Sequence, residues 1–259
     1  MTEPLVRVAR HPGNAAIQIL TIDRPPRNAM SYETYKQLLA ALRDGSEDES
    51  IRCVIITGAG DKAFIAGGDL REHAELDPRS AARRTGLIRI VSQAIRQHRV
   101  PVIAAVNGYT IGGGMVIMAS CDIVVAVEGA QFSIPEVKVG ILGATRHLRR
   151  LVPDKVVRWM ALTGNFVDAA FFQRLGVIQE VVPRDALMAT ALATAEQICE
   201  HSAIAVELMK ESLNLTEHLD LDEGYHVECL GTSILKGTPE AKEAAQAALE
   251  KRKPDFRRI

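Results

Sequence analysis

Apolar residues fall into distinct patterns along the chain, and each pattern predicts a different element. Unbroken runs at Cys53–Thr57 and Val102–Val106 read as strands buried on both faces, because a strand open to water on one side would alternate. Tyr35, Leu38, Leu39 and Leu42 recur at i, i+3, i+4 and i+7, which predicts a helix with Ser31 as its N-cap, ending near Gly45. Leu87, Val91 and Ile95 share one face of a longer helix, from about Pro78 to Arg99. Leu5–Arg10 and Ala16–Ile22 flank His11-Pro12-Gly13-Asn14 and read as a hairpin. Beyond Glu136 the pattern is mostly helical. Pro153–Leu162 stops at Gly164, Asp168–Leu175 stops at Gly176, Val177–Val182 is a strand, and four helical stretches follow. The last of these opens with Thr238-Pro239-Glu240, an N-cap, a proline at N1 and an acid at N2.

The chemistry concentrates in residues 101–143, where a core strand, the Asn107-Gly108 turn, Gly112-Gly113-Gly114, a short helix to about Ser120, a second core strand and Glu136 succeed one another. Bare backbone at a helix start offers unpaired N–H donors to an anion. A dinucleotide fold needs G-x-G-x-x-G and a long crossover helix, and a phosphate loop needs a following Lys; neither is present. An oxyanion hole fits, although a glycine triplet by itself reads equally as a tight turn. Two companions strengthen the chemical reading. Ala63-Phe64-Ile65-Ala66-Gly67-Gly68-Asp69-Leu70 is a second small-residue turn predicted to open a helix passing Asp69 and Glu72, and Ser133-Ile134-Pro135-Glu136 sets one carboxylate beside a proline.

With these motifs the chain resembles the crotonase superfamily, the enoyl-CoA hydratase/isomerase family. The resemblance is carried by Arg24-Pro25, Asn28-Ala29-Met30, the Ala63–Asp69 turn, Pro101–Gly114, Cys121-Asp122, Pro135-Glu136, Leu162-Thr163-Gly164 and Lys251–Phe256, in family order from about residue 5 to 256. It implies an α/β fold, a spiral of β-β-α units over residues 1–185, with a C-terminal helical trimerisation region over 186–259. It implies an acyl-CoA substrate whose thioester oxygen is held by the Gly68 and Gly113 amides, Glu136 as acid/base, and a homotrimer or homohexamer. Arg27, Ala29, Ala66, Asp69, Leu70 and Val116 fall at family positions around the coenzyme A and acyl group. For Arg27 the reading as an ordinary exposed loop arginine stands beside that of a phosphate contact. Coenzyme A would arrive as part of the substrate, and no other cofactor is expected.

The chain departs from the family's hydratases in two places. Their first glutamate falls at Val116, which can neither hydrogen-bond nor carry a proton, so the resemblance implies isomerisation by a single glutamate or an atypical hydration. Their glycine-rich loop is replaced by Gly143-Ala144-Thr145-Arg146-His147. Two readings of that loop stand side by side. Arg146 and His147 border the pocket, with His147 as a second catalytic group and Arg146 as a carboxylate ligand for a specialised lyase or hydrolase; or both belong to a solvated helix face with Arg149 and Arg150. A family member that binds acyl-CoA without turnover is a further alternative.

Composition removes other classes. With 259 residues, 47% hydrophobic, and a formal net charge of −1, the chain can bury a full core and has no general electrostatic reason to bind nucleic acid or a membrane. Cys53, Cys121, Cys199 and Cys229 show no C-x-x-C pairing and read as reduced core residues. The seven histidines show no metal-ligand spacing. No apolar leader precedes the first strand, so the expected location is the cytoplasm.

Overall fold

The computed structural model describes residues 4–256. β1 (Val6–His11) and β2 (Asn14–Ile22) form the expected antiparallel hairpin, closed more tightly than the sequence suggested because Asn14 already pairs with His11. Ser31 Oγ accepts the Thr34 N–H at 3.1 Å and opens α1 (Tyr32–Glu47), whose Tyr35, Leu38, Leu39 and Leu42 are all buried. The chain then alternates between two sheets. β3 (Cys53–Gly58), β5 (Val102–Val106) and β7 (Ile123–Val127) lie parallel in a six-stranded sheet that β10 (Glu180–Val182) completes, in the order β1-β2-β3-β5-β7-β10. After each of them the chain turns and adds one short strand to a second sheet. These are β4 (Ala63–Ile65), β6 (Tyr109–Ile111) and β8 (Gln131–Ser133), mutually parallel, with β9 (Val167–Asp168) antiparallel at the far edge. Each pair of strands is followed by helix: α2 (Leu70–Ala74) and α3 (Pro78–Arg96), then α4 (Gly113–Ser120), then a 3-10 turn at Glu136–Val139 and α5 (Thr145–Leu148). These are the β-β-α turns of the expected spiral.

Two buried asparagines fix the turns between the sheets. Asn107 Nδ2 donates to the Gly58 and Gly60 carbonyls at 2.9 and 2.8 Å, while Asn28 Nδ2 donates to those of Ala59 and Ala63 at 2.9 and 2.8 Å. At Gly108 any Cβ would run into the Lys62 carbonyl, so this turn admits only glycine.

α6 (Asp154–Thr163) ends at Gly164 in the left-handed conformation, and α7 (Ala169–Arg174) is capped by Asp168. The strand expected over Val177–Val182 forms only at β10 (Glu180–Val182). Val177 and Ile178 are buried, but pairing to β7 starts where the Gln179 N–H reaches the Val124 carbonyl at 3.0 Å. α8 (Leu187–Cys199) packs on the large sheet through Leu187, Ala191 and Ala195. α9 (Ala203–Thr216), α10 (Leu221–Lys236) and α11 (Pro239–Leu249) complete the chain, the last with the expected Thr238 cap. Cys53 is buried and Cys121 and Cys199 partly so, but Cys229 is exposed on α10, which corrects its reading as a core residue. Among the described residues no helix is long and apolar enough to cross a membrane.

Candidate active site

The three sequence motifs meet because they follow three neighbouring parallel strands. Gly68 comes just after β4, Gly112-Gly113 just after β6 and Glu136 just after β8, so all three sit at the carboxyl edge of the small sheet. Parallel strands end together, and the crevice beyond their carboxyl ends is where such folds place ligands.

Gly68 pairs with Met30 in a single parallel bridge. The bonds of that bridge run from Met30 N–H to the Gly67 carbonyl at 2.8 Å and from Asp69 N–H to the Met30 carbonyl at 3.0 Å. Alternation along an extended segment therefore turns the Gly68 N–H the other way, and no described residue accepts from it. Arg84, buried behind this turn, donates from Nη2 to the Met30 carbonyl at 2.9 Å and pairs through Nη1 with Glu72 at 3.1 Å. A Cβ on Gly68 would stand 2.8 Å from Arg84 Nη2. The sequence placed Asp69 inside the next helix; it is instead the N-cap of α2, accepting the Arg71 and Glu72 N–H groups and paired with Arg24. A short carboxylate at a cap satisfies two otherwise orphaned donors, which a helical Asp69 could not.

Gly113 is the first residue of α4, so its N–H lacks an intrahelical acceptor, and no other described residue supplies one. Gly112 is its cap at φ 52°, held by its N–H to the Ser133 carbonyl at 3.0 Å. A Cβ on Gly114 would collide with the Ile65 carbonyl, so the glycine triplet also lets α4 start hard against β4.

Glu136 opens the 3-10 turn behind Pro135. Its Oε1 lies against the backbone of Gly112 and Gly143, 2.7 and 3.0 Å from where a Cβ on either would stand. Its Oε2 is buried without a hydrogen-bond partner, and burial pushes the carboxyl above its ordinary value.

A cavity of about 840 Å³ joins these groups. Gly68, Gly113, Glu136 and Val116 line it together with Leu70, Leu76, Ile88, Ile141 and Leu142, giving apolar surface around two free amides and the unpaired Glu136; the other lining carboxylates, Asp69 and Glu217, are held in ion pairs with Arg24 and with Arg96 and Arg150. Arg146 and His147 border it, as does Arg150, while Arg146 is also exposed to solvent. His147 is tied to the floor: its Nε2 is 2.7 Å from Ser92 Oγ, Ser92 Oγ is 3.0 Å from Ser120 Oγ, and Ser120 donates to the Val116 carbonyl at 2.7 Å. One proton per hydroxyl satisfies all three contacts only if Nε2–H donates to Ser92, which leaves Nδ1 as the acceptor. Burial and the nearby Arg150, Arg96 and Arg146 hold His147 below its ordinary pKa, so it is neutral at pH 7.

Arg27, Ala29 and Ala66 lie outside the cavity wall. Arg27 is exposed with no side-chain partner, and its backbone carbonyl accepts the Ala66 N–H at 3.2 Å. Ala29 presents its carbonyl to Arg24 Nη1 at 3.0 Å. Leu70 is 62% exposed and forms the rim. Sequence reasoning missed Arg84, Ser92 and the hydroxyl of Tyr35, all of which line the cavity. Tyr35 was legible only as one apolar position of α1.

Two free backbone amides and one unpartnered carboxylate at a single cavity are the groups that oxyanion stabilisation and proton transfer require. The comparisons with known proteins agree. The chain matches the enoyl-CoA hydratase/isomerase family over residues 12–258 and belongs to that family, within the crotonase superfamily. It is 34% identical over 250 residues to the carnitinyl-CoA dehydratase of Salmonella typhi, covering 93% of this chain and 95% of the relative. Among solved structures it resembles an enoyl-CoA hydratase from Mycobacterium smegmatis (TM-score 0.94, 31% identity, 98% of this chain and 100% of the other). It is similarly close to an enoyl-CoA hydratase from Bacillus anthracis (TM-score 0.92, 31% identity, 97% and 98%).

Proposed function

We propose that the enzyme acts on an enoyl-CoA thioester, holding the thioester oxygen between the Gly68 and Gly113 amides and using Glu136 as its only carboxylate acid/base, so that it shifts a double bond. The observation that carries this is Val116, which lines the cavity at the position where the resemblance puts a hydratase's second carboxylate. Glu136 takes a proton from one carbon, negative charge moves onto the thioester oxygen, and the same carboxyl returns the proton to another carbon. A carboxyl raised by burial suits both halves, being basic enough to accept and acidic enough to give back. Coenzyme A enters with the substrate.

A second reading, reversible dehydration of a hydroxyacyl-CoA, is supported by the relatives named carnitinyl-CoA dehydratase and by the neutral His147, whose Nδ1 can accept a proton. Arg89 and Arg146 face the cavity without an ion-pair partner, and free cations suit phosphate or carboxylate groups. Incubation with 2-enoyl, 3-enoyl, 3-hydroxyacyl and carboxylated acyl-CoAs, followed by chromatographic separation and mass analysis, separates the readings: isomerisation gives a distinct product of the same mass and dehydration loses one water. Binding without any change in any substrate would favour a non-catalytic role. We also propose a homotrimer or homohexamer, supported by the apolar Met209, Leu213, Tyr225, Leu230 and Ile234 exposed on α9 and α10, and tested by sedimentation.

A further inference from the structure

We infer that the phenol of Tyr35 is a third donor to the thioester oxygen, beside the Gly113 amide. This rests on the oxyanion reading of the site. Tyr35 is fully buried, yet it lines the cavity and its hydroxyl has no hydrogen-bond partner. A buried hydroxyl left unpaired is costly, so a fold that keeps one in its cavity wall gains by offering it to a ligand.

Its location names the ligand atom. A Cβ on Gly113 would collide with the Tyr35 hydroxyl, so phenol and Gly113 backbone are in direct contact, and the Gly113 N–H is itself unpaired. Two adjacent donors without an acceptor call for an oxygen that is gaining negative charge. Burial and Glu136 push the Tyr35 pKa up to about 12 against the opposing pull of Arg84, so the hydroxyl keeps its proton and can donate it. Arg84, whose guanidinium carbon lies 6.0 Å from the Tyr35 ring centroid, stands between the ring and the Gly68 turn, where it donates to the Met30 carbonyl. The phenol and Val116 line the same cavity. Side chains on a helix lean toward its N-terminus, so Val116, three residues after Gly113, covers the turn where the Tyr35 hydroxyl sits. A tyrosine reaching in from α1 thus supplies polarity where α4 supplies none.

Acetoacetyl-CoA tests this, because its enolate has a near-ultraviolet band and reports the donors directly, without turnover. Wild type should bind it with the enolate favoured. Tyr35→Phe should raise the apparent pKa of the bound ligand by about 1–2 units, the value of one hydrogen bond to a charged group, and slow turnover by about 10–100-fold. Because the hydroxyl has no partner in the free protein, the melting temperature of Tyr35→Phe should be unchanged or higher. An unchanged ligand pKa in Tyr35→Phe, or a melting temperature several degrees lower, would overturn the inference while leaving the amide oxyanion hole intact. Failure of wild type to bind acetoacetyl-CoA at all would overturn both the inference and the reading of the site beneath it.

Discussion

Glu136 Oε1 stands 2.7 Å from the place a Cβ on Gly112 would occupy, so the acid/base is seated against bare backbone at the mouth of the same turn that frees the Gly113 amide. In the proposed reaction, proton transfer and charge stabilisation share this turn. Such a seat holds the carboxylate in position without giving its second oxygen a partner, which keeps that oxygen available for chemistry.

Glu136→Gln should lower turnover by about 10²–10⁴-fold with little change in acyl-CoA binding. The wild-type rate should fall on the acid side at a pH above the ordinary glutamate range. Stability should respond in the opposite sense. The folded carboxyl binds its proton more tightly than the unfolded one, so a penalty builds as pH rises from the unfolded pKa through the folded pKa and persists above it. Glu136→Gln removes that penalty, and its melting temperature at pH 8 should equal or exceed that of wild type.

Gly113→Ala should cost both folding stability and acyl-CoA binding, because its methyl group meets the Tyr35 hydroxyl. The ring carbon bearing that hydroxyl is 3.8 Å from the new Cβ, an ordinary contact, so Tyr35→Phe should restore the lost stability in the double variant. Thermal melts of the four proteins check this. A double variant no more stable than Gly113→Ala would show that something other than the phenol excludes a side chain there.

Val116→Glu should confer hydration of crotonyl-CoA, at the expense of isomerisation, by returning a second carboxylate to the cavity wall near Glu136. Wild type should hydrate it slowly. Efficient wild-type hydration that vanishes in His147→Ala would show instead that the His147 imidazole supplies the second group.

Lys210 tests a relationship remote from the chemistry. Its Nζ, nearly without solvent contact, donates to Asp122 Oδ2 at 2.7 Å and to the Val100 carbonyl at 3.0 Å, pinning α9 to the starts of β5 and β7. Lys210→Met takes the cation from a part-exposed carboxylate that keeps the Val102 N–H as a donor, so denaturant unfolding should show a loss of about 1–2 kcal/mol. Turnover per folded molecule should be unaffected.

Local pattern determined much of this protein. The two core strands, the stripes of α1 and α3, the caps at Ser31 and Thr238 and the glycine turns follow from period, burial and backbone freedom, all of which a short window of sequence records. The same windows singled out the two glycine turns and the Pro135-Glu136 pair, within which the family resemblance pointed to Gly68, Gly113 and Glu136. Tertiary structure decided what those residues face. β6 and β8 are three residues each and exist only because neighbouring strands pair with them, so no local signal announces the small sheet that brings the motifs together. The direction of the Gly68 N–H depends on a bridge to Met30, far away in the chain. Tyr35 marks the division most plainly. Its ring obeys the helical period and was legible as core, whereas its hydroxyl gains meaning from Gly113 and Arg84, which reach it from two other elements. A sequence specifies which side chains are withdrawn from water; which polar atoms are left without partners is settled when distant elements pack.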